Sequence, residues 1–123
     1  MRDPDGAYFE FLAEELKLSL EGVRRKDDAH KLIIAYEPIW AIGKKAKDAM
    51  QPADLAQMTI FIKKVLTEVF NRQSAERIPI LYGGSVEPGN AKSLLAQSGI
   101  QGFLVGHASL APKSFSEIAE ALI

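Results

Sequence analysis

Three short apolar runs, Leu32 to Tyr36, Ile78 to Tyr82 and Gly102 to Val105, each lead through a turn or loop into a segment with helical periodicity. None of the runs alternates polar with apolar residues. That pattern belongs to strands covered on both faces, the building material of parallel sheets. Strand, connection and helix repeated in this order predict an α/β architecture with a parallel sheet and right-handed crossovers.

Ahead of the first run, Ala7 to Gly22 places Tyr8, Phe11, Leu12, Leu16, Leu20 and Val23 at three- and four-residue steps, with Glu10, Glu14, Glu15 and Lys17 in the gaps. It reads as an amphipathic helix stopped at Gly22. A charged connector, Arg24 to Lys31, follows, with His30 as a surface residue on the side opposite any ligand. Glu37 to Gln51 is rich in Lys and Ala but contains Pro38 and Gly43, and reads as a long loop whose Lys44, Lys45 and Lys47 form a solvated tip. Pro52 and Asp54 open a helix with Leu55, Met58, Ile62, Val65, Leu66 and Val69 as its stripe, ending near Phe70. After the second strand, Gly83 to Ser85 is a tight turn and Pro88 to Ser98 a helix stopped by Gly99. After the third, Gly106 to Ser109 is a turn, and Ser114 to Leu122 is a helix with Phe115, Ile118, Ala119 and Leu122 on one face. No low-complexity linker separates the units, so residues 1–123 read as one domain: one helix, then three βα units.

The composition excludes several functions. With 15 Lys plus Arg against 16 Asp plus Glu, a net charge of −1, the chain lacks the basic footprint of a nucleic-acid binder. Its apolar runs fall far short of the roughly 20 residues of a membrane span, and the polar start Met1 to Asp5 lacks a signal-peptide core. The absence of cysteine rules out disulfides, thiol catalysis and cysteine-ligated zinc, which makes the cytoplasm the expected compartment.

In parallel α/β folds the ligand face lies at the carboxyl ends of the strands, which here are Glu37, Gly83 to Ser85, and Gly106 to His107. Glu37 is held in extended backbone by Pro38, which suits a positioned general base; position alone favours a solvated strand end. The two glycine-centred turns permit close backbone approach, and the helices behind them aim N–H groups at the same rim. A small phosphorylated ligand is the functional reading, a plain strand-to-helix connection the bland one. His107, alone and without a second ligand at metal spacing, predicts a structural residue, and no metal site is expected. Trp40 reads as a loop anchor or a core residue.

Taken together, AYEPIWAIG (Ala35 to Gly43), ILYGGSV (Ile80 to Val86) and GFLVGHASL (Gly102 to Leu110) closely resemble triosephosphate isomerases in order and spacing. The resemblance runs from Tyr8 to Leu122. It implies that Glu37 shuttles a proton between two adjacent carbons through an enediol, interconverting dihydroxyacetone phosphate and glyceraldehyde 3-phosphate without a cofactor. It also implies a mobile lid of Pro38, Ile39, Trp40, Ala41 and Ile42, with Gly43, Ser85, Gly106 and His107 as the phosphate cradle. The implied fold is a partial TIM barrel.

Several departures qualify this. His107 stands where the family usually has a second glycine, which would be strained if positive φ were required there. The lid's trailing half, Lys44 to Met50, is longer than the common form and lacks its second glycine, and Gln101 replaces an acidic residue before the last strand. Above all, the resemblance begins with the helix after the fifth strand of the barrel. The lysine and asparagine after the first strand and the electrophilic histidine after the fourth therefore have no counterpart. Losing one oxyanion donor alone costs roughly 100- to 1000-fold, so the isolated chain is expected to be a poor isomerase or none. Three parallel strands also leave two bare edges and one uncovered face, where Ile34 and Leu81 need cover. A homo-oligomer is expected, or pairing with a complementary N-terminal barrel segment, since whole copies give six or nine strands rather than eight. Beside the isomerase reading stand a phosphate-binding module without turnover and a self-assembling half-barrel.

Overall fold

The computed structural model describes residues 7–23, 26–38 and 50–123. Three strands, β1 (Ile34–Tyr36), β2 (Ile80–Tyr82) and β3 (Gly102–Phe103), form one parallel sheet in the order β1-β2-β3. Helix α1 (Ala7–Ser19) and a 3₁₀ turn (Lys26–Lys31) precede the sheet; α2 (Pro52–Val69) and α3 (Arg72–Arg77) connect β1 to β2. Helix α4 (Pro88–Ser98) connects β2 to β3, and a second 3₁₀ turn (His107–Leu110) leads into α5 (Pro112–Glu120). This is the α/β, open-sheet architecture of part of a βα barrel.

Each strand is shorter than its apolar run, for local reasons. Ile34 N–H donates to Pro79 C=O at 2.9 Å, and the next bond outward would need an N–H that Pro79 lacks. Leu32 turns back instead and donates to Ala29 C=O at 3.0 Å, so β1 starts at Ile34. At β3, Gln101 N–H donates to Ile80 C=O and Leu104 N–H to Tyr82 C=O, three residues against two, and regular pairing stops at Phe103. The Gln101 side chain fills the remaining ladder position. Its Oε1 accepts from Ile80 N–H at 2.7 Å while its Nε2 donates to Gly99 C=O at 3.1 Å. Gln101 thus acts as a spacer between β2 and the chain entering β3.

Helix ends follow similar logic. Leu20 still bonds back to Leu16, but Glu21 and Val23 reach only three residues back, so α1 tightens and ends at Ser19 rather than at Gly22. Pro112 occupies the first helical position of α5 and starts that helix two residues earlier than periodicity alone predicts. Periodicity misses α3 entirely. Asn71 caps it by accepting from Ser74 N–H at 2.7 Å, and Lys63 on α2 donates its ammonium to the carbonyls of Ala75, Glu76 and Ile78 at its other end.

The core lies between the sheet and α2 and α4, where Ile78, Ile80, Tyr82, Leu55, Leu66 and Leu94 are buried. The register Ile34↔Ile80, Ala35↔Leu81 settles which face is bare. Because Ile80 is fully buried toward the helices, Ile34 faces them too, contrary to the sequence reading; Ile33, 63% exposed, takes the bare side with Ala35, Leu81 and Leu104.

Candidate active site

The carboxyl end of β1 delivers Glu37, exposed at the rim, with the following Pro38 fully buried as its anchor. Tyr36 C=O accepts from Gly83 N–H at 2.9 Å, which draws the turn after β2 against the end of β1. The Glu37 side chain then lies across this turn: a Cβ on Gly83 would fall 2.6 Å from Glu37 Cγ and 3.0 Å from Oε1. A side chain there would displace the Glu37 carboxylate, and glycine leaves it in place. Its neighbour Gly84 makes room for a second group, since a Cβ there would overlap the Tyr82 hydroxyl.

Tyr82 closes the turn from below. It is fully buried, and its hydroxyl accepts from Met50 N–H at 3.1 Å and from the backbone N–H of Ser85. Burial raises its phenol above the ordinary 10.0, with those two donors acting the other way. One hydroxyl therefore ties the residue at the end of the long β1–α2 connection to the glycine turn. Ser85 is itself buried, and its C=O accepts from Asn90 Nδ2 at 2.9 Å.

One strand over, Gly106 caps the turn His107–Leu110, with its C=O accepting from Ser109 N–H at 2.9 Å and Ser109 Oγ at 2.6 Å. His107 is exposed, and no non-glycine among the described residues has positive φ, so histidine is unstrained at this position. Glu37, Ser85, Gly106 and His107 thus all follow carboxyl strand ends on one rim, with the Glu37 side chain against Gly83 of the turn that holds Ser85. The expected lid positions Ile39, Trp40, Ala41 and Ile42, and Gly43 expected at the phosphate, lie outside the described residues.

Beside the rim, a groove of about 420 Å³ runs between α1 and the free edge of β1, lined by Tyr8, Leu12, Leu16, Ile34, Tyr36 and Phe61, with Glu37 at its end. The Tyr8 and Tyr36 hydroxyls meet at 2.6 Å, and burial, followed by this bond, pushes the Tyr36 phenol far up. Sequence reasoning missed Tyr82 and Asn90. The signals available were a tyrosine directly before Gly-Gly and the Glu87-x-x-Asn90 spacing of a capping box.

A parallel sheet with a carboxylate at one strand end and a glycine turn at the next, sharing one rim, defines the class: a segment of a βα barrel. The model of the family described as triosephosphate isomerase matches residues 2–122, and the chain belongs to that family. Among curated relatives, the triosephosphate isomerase of Geobacter metallireducens is 47% identical over 110 residues, 89% of this chain and 43% of its own length. That of Fusobacterium nucleatum is 47% identical over 117 residues, 94% of this chain and 45% of its own. That of Dictyoglomus turgidum is 41% identical over 116 residues, 91% of this chain and 44% of its own. The chain therefore spans less than half the length of these relatives. Among the described residues no helix is long and apolar enough to cross a membrane.

Proposed function

We propose that this chain carries the base and the phosphate-binding rim for the interconversion of dihydroxyacetone phosphate and glyceraldehyde 3-phosphate. Glu37 takes a proton from one carbon beside the carbonyl and returns it to the other. Ser85, the backbone at Gly106 and His107, and the N–H of Gly43 hold the phosphate, while Pro38 to Ile42 close over it and exclude water. The observation that carries this reading is the Glu37 side chain lying against the Gly83–Ser85 turn, so that a substrate anchored at the turn presents its carbons to the carboxylate. The oxyanion donors come from a complementary N-terminal barrel segment, because a second copy of this chain lacks them too. Exposed Ile33 and Leu104 on the bare face support such an association. Alone, the chain binds phosphate without turnover. The cytoplasm is the setting we assign.

The test is a triose phosphate interconversion assay on purified chain and on Glu37→Gln, both from a host lacking its own isomerase, with and without the N-terminal segment of one of the relatives above. The expected result is no Glu37-dependent turnover in the chain alone and a Glu37-dependent rate once the segment is added. Equal rates for both proteins in the mixture would remove Glu37 from the mechanism.

A further inference from the structure

Ser85 is gripped from both sides. Its N–H reaches the buried Tyr82 hydroxyl, and its C=O accepts from Asn90 Nδ2 at 2.9 Å. The other half of the Asn90 amide is engaged as well: Oδ1 accepts from Glu87 N–H at 2.8 Å, and the Glu87 side chain bonds back to the Asn90 backbone N–H. An ordinary capping box needs only an acceptor at this third helical position, which a carboxylate supplies equally well. The donor half of Asn90 is superfluous to the cap. It is spent instead on the serine of the turn.

We propose that Asn90 is a positioning residue for the Gly83–Ser85 turn, one that fixes the turn's anion-facing geometry before any ligand arrives. The proposal rests on the phosphate reading given above and adds to it a residue that touches no ligand itself. The physical reasoning is preorganisation. Gly83 and Gly84 have no side chains to restrain the backbone, so a turn that must hold its ligand-facing groups in one geometry loses affinity to its own disorder unless neighbours hold it. Tyr82 restrains the N–H side of Ser85, and Asn90 restrains the C=O side.

Asn90→Asp separates this role from the cap. It keeps the size and the acceptor to Glu87 N–H, adds a negative charge that the first helical turn favours, and replaces the donor to Ser85 with a carboxylate oxygen that cannot donate. Gly89→Asp is the charge control: it sets the same charge on an exposed neighbour, where an added Cβ meets nothing within 4 Å, and leaves the bridge intact. The full chain is titrated with inorganic phosphate while the amides of Gly84 and Ser85 are followed by NMR, and amide hydrogen exchange over residues 84–86 is measured without phosphate. Asn90→Asp is expected to weaken phosphate binding about fivefold to tenfold, the worth of one hydrogen bond, and to speed exchange by a similar factor with the melting temperature lowered by only a few degrees. Gly89→Asp should change affinity by less than about twofold and leave exchange as in the parent, because its charge is screened at the surface. Parental exchange rates in Asn90→Asp overturn the proposal. So does faster exchange with parental phosphate affinity. A parent chain that binds no phosphate defeats the phosphate reading instead, and the exchange comparison alone then upholds or overturns the clamp.

Discussion

Helices α1 and α2 flank the same strand and carry similar apolar stripes, yet their fates differ. Over its 18 residues α2 buries Leu55, Met58, Thr59, Ile62, Val65 and Leu66, whereas α1, with 13, buries none and leaves Phe11 62% exposed. The difference lies in neighbours rather than in pattern. α2 packs on α3 and α4 and shares the buried core with Ile80 and Tyr82 of the sheet. α1 meets α2 along one flank, through the edge-to-face pair Phe9–Phe61 at 4.8 Å, and elsewhere overlooks the groove beside the free edge of β1. An amphipathic stripe states which face a helix offers; whether burial follows depends on what stands opposite.

The comparison can be broken by mutation. Leu66→Ala, at a fully buried site of α2, should cost about 2–5 kcal/mol in denaturant unfolding, against about 1 kcal/mol for Leu12→Ala on α1; equal losses would show that α1 is as firmly packed as α2. Lys63→Met on α2 should cost about 1–2 kcal/mol by freeing the carbonyls that end α3. Burial holds the Lys63 ammonium below its ordinary 10.5, with Glu76 opposing, so the folded chain prefers the neutral amine more than the unfolded chain does. The parent should therefore gain stability relative to Lys63→Met as pH rises from the lowered value toward 10.5, and lose it again on the way down. A flat difference across that window would remove Lys63 as the source. Tyr8→Phe tests the polar link from α1 to β1 and should cost about 0.5–1.5 kcal/mol, with the Tyr36 phenol ionising at lower pH in an ultraviolet titration. The smallest effect belongs to Lys17→Ala, which breaks the half-exposed pair with Glu68 between the two helices; about 0–1 kcal/mol is expected, shrinking with added salt.

The order of elements was legible in the sequence because unbroken apolar runs and helical stripes are long enough to carry a period. Limits appeared wherever one backbone hydrogen bond decided the outcome. Pro79 shortens β1 from the opposite strand, and six-residue α3 is held by Asn71 and Lys63 rather than by a stripe. The facing of Ile34 could not be read because a strand apolar at every position shows no alternation; the register with Ile80 was needed. At the site, the sharing of one rim by Glu37 and Ser85 follows from their places after apolar runs. Tyr82 and Asn90 work through backbone groups of the turn, and residue spacing alone does not say where a tyrosine hydroxyl or an amide nitrogen will point.

The crowding between Gly83 and Glu37 has a consequence for descent. Two positions that share one small volume cannot drift separately: a methyl group at 83 displaces the carboxylate, and a shorter residue at 37 removes the three atoms nearest that methyl. A lineage that gave up the carboxylate would soon find position 83 open to alanine and serine. The glycine is thus a second inscription of the acid, and a chain that has idled for long should have lost both.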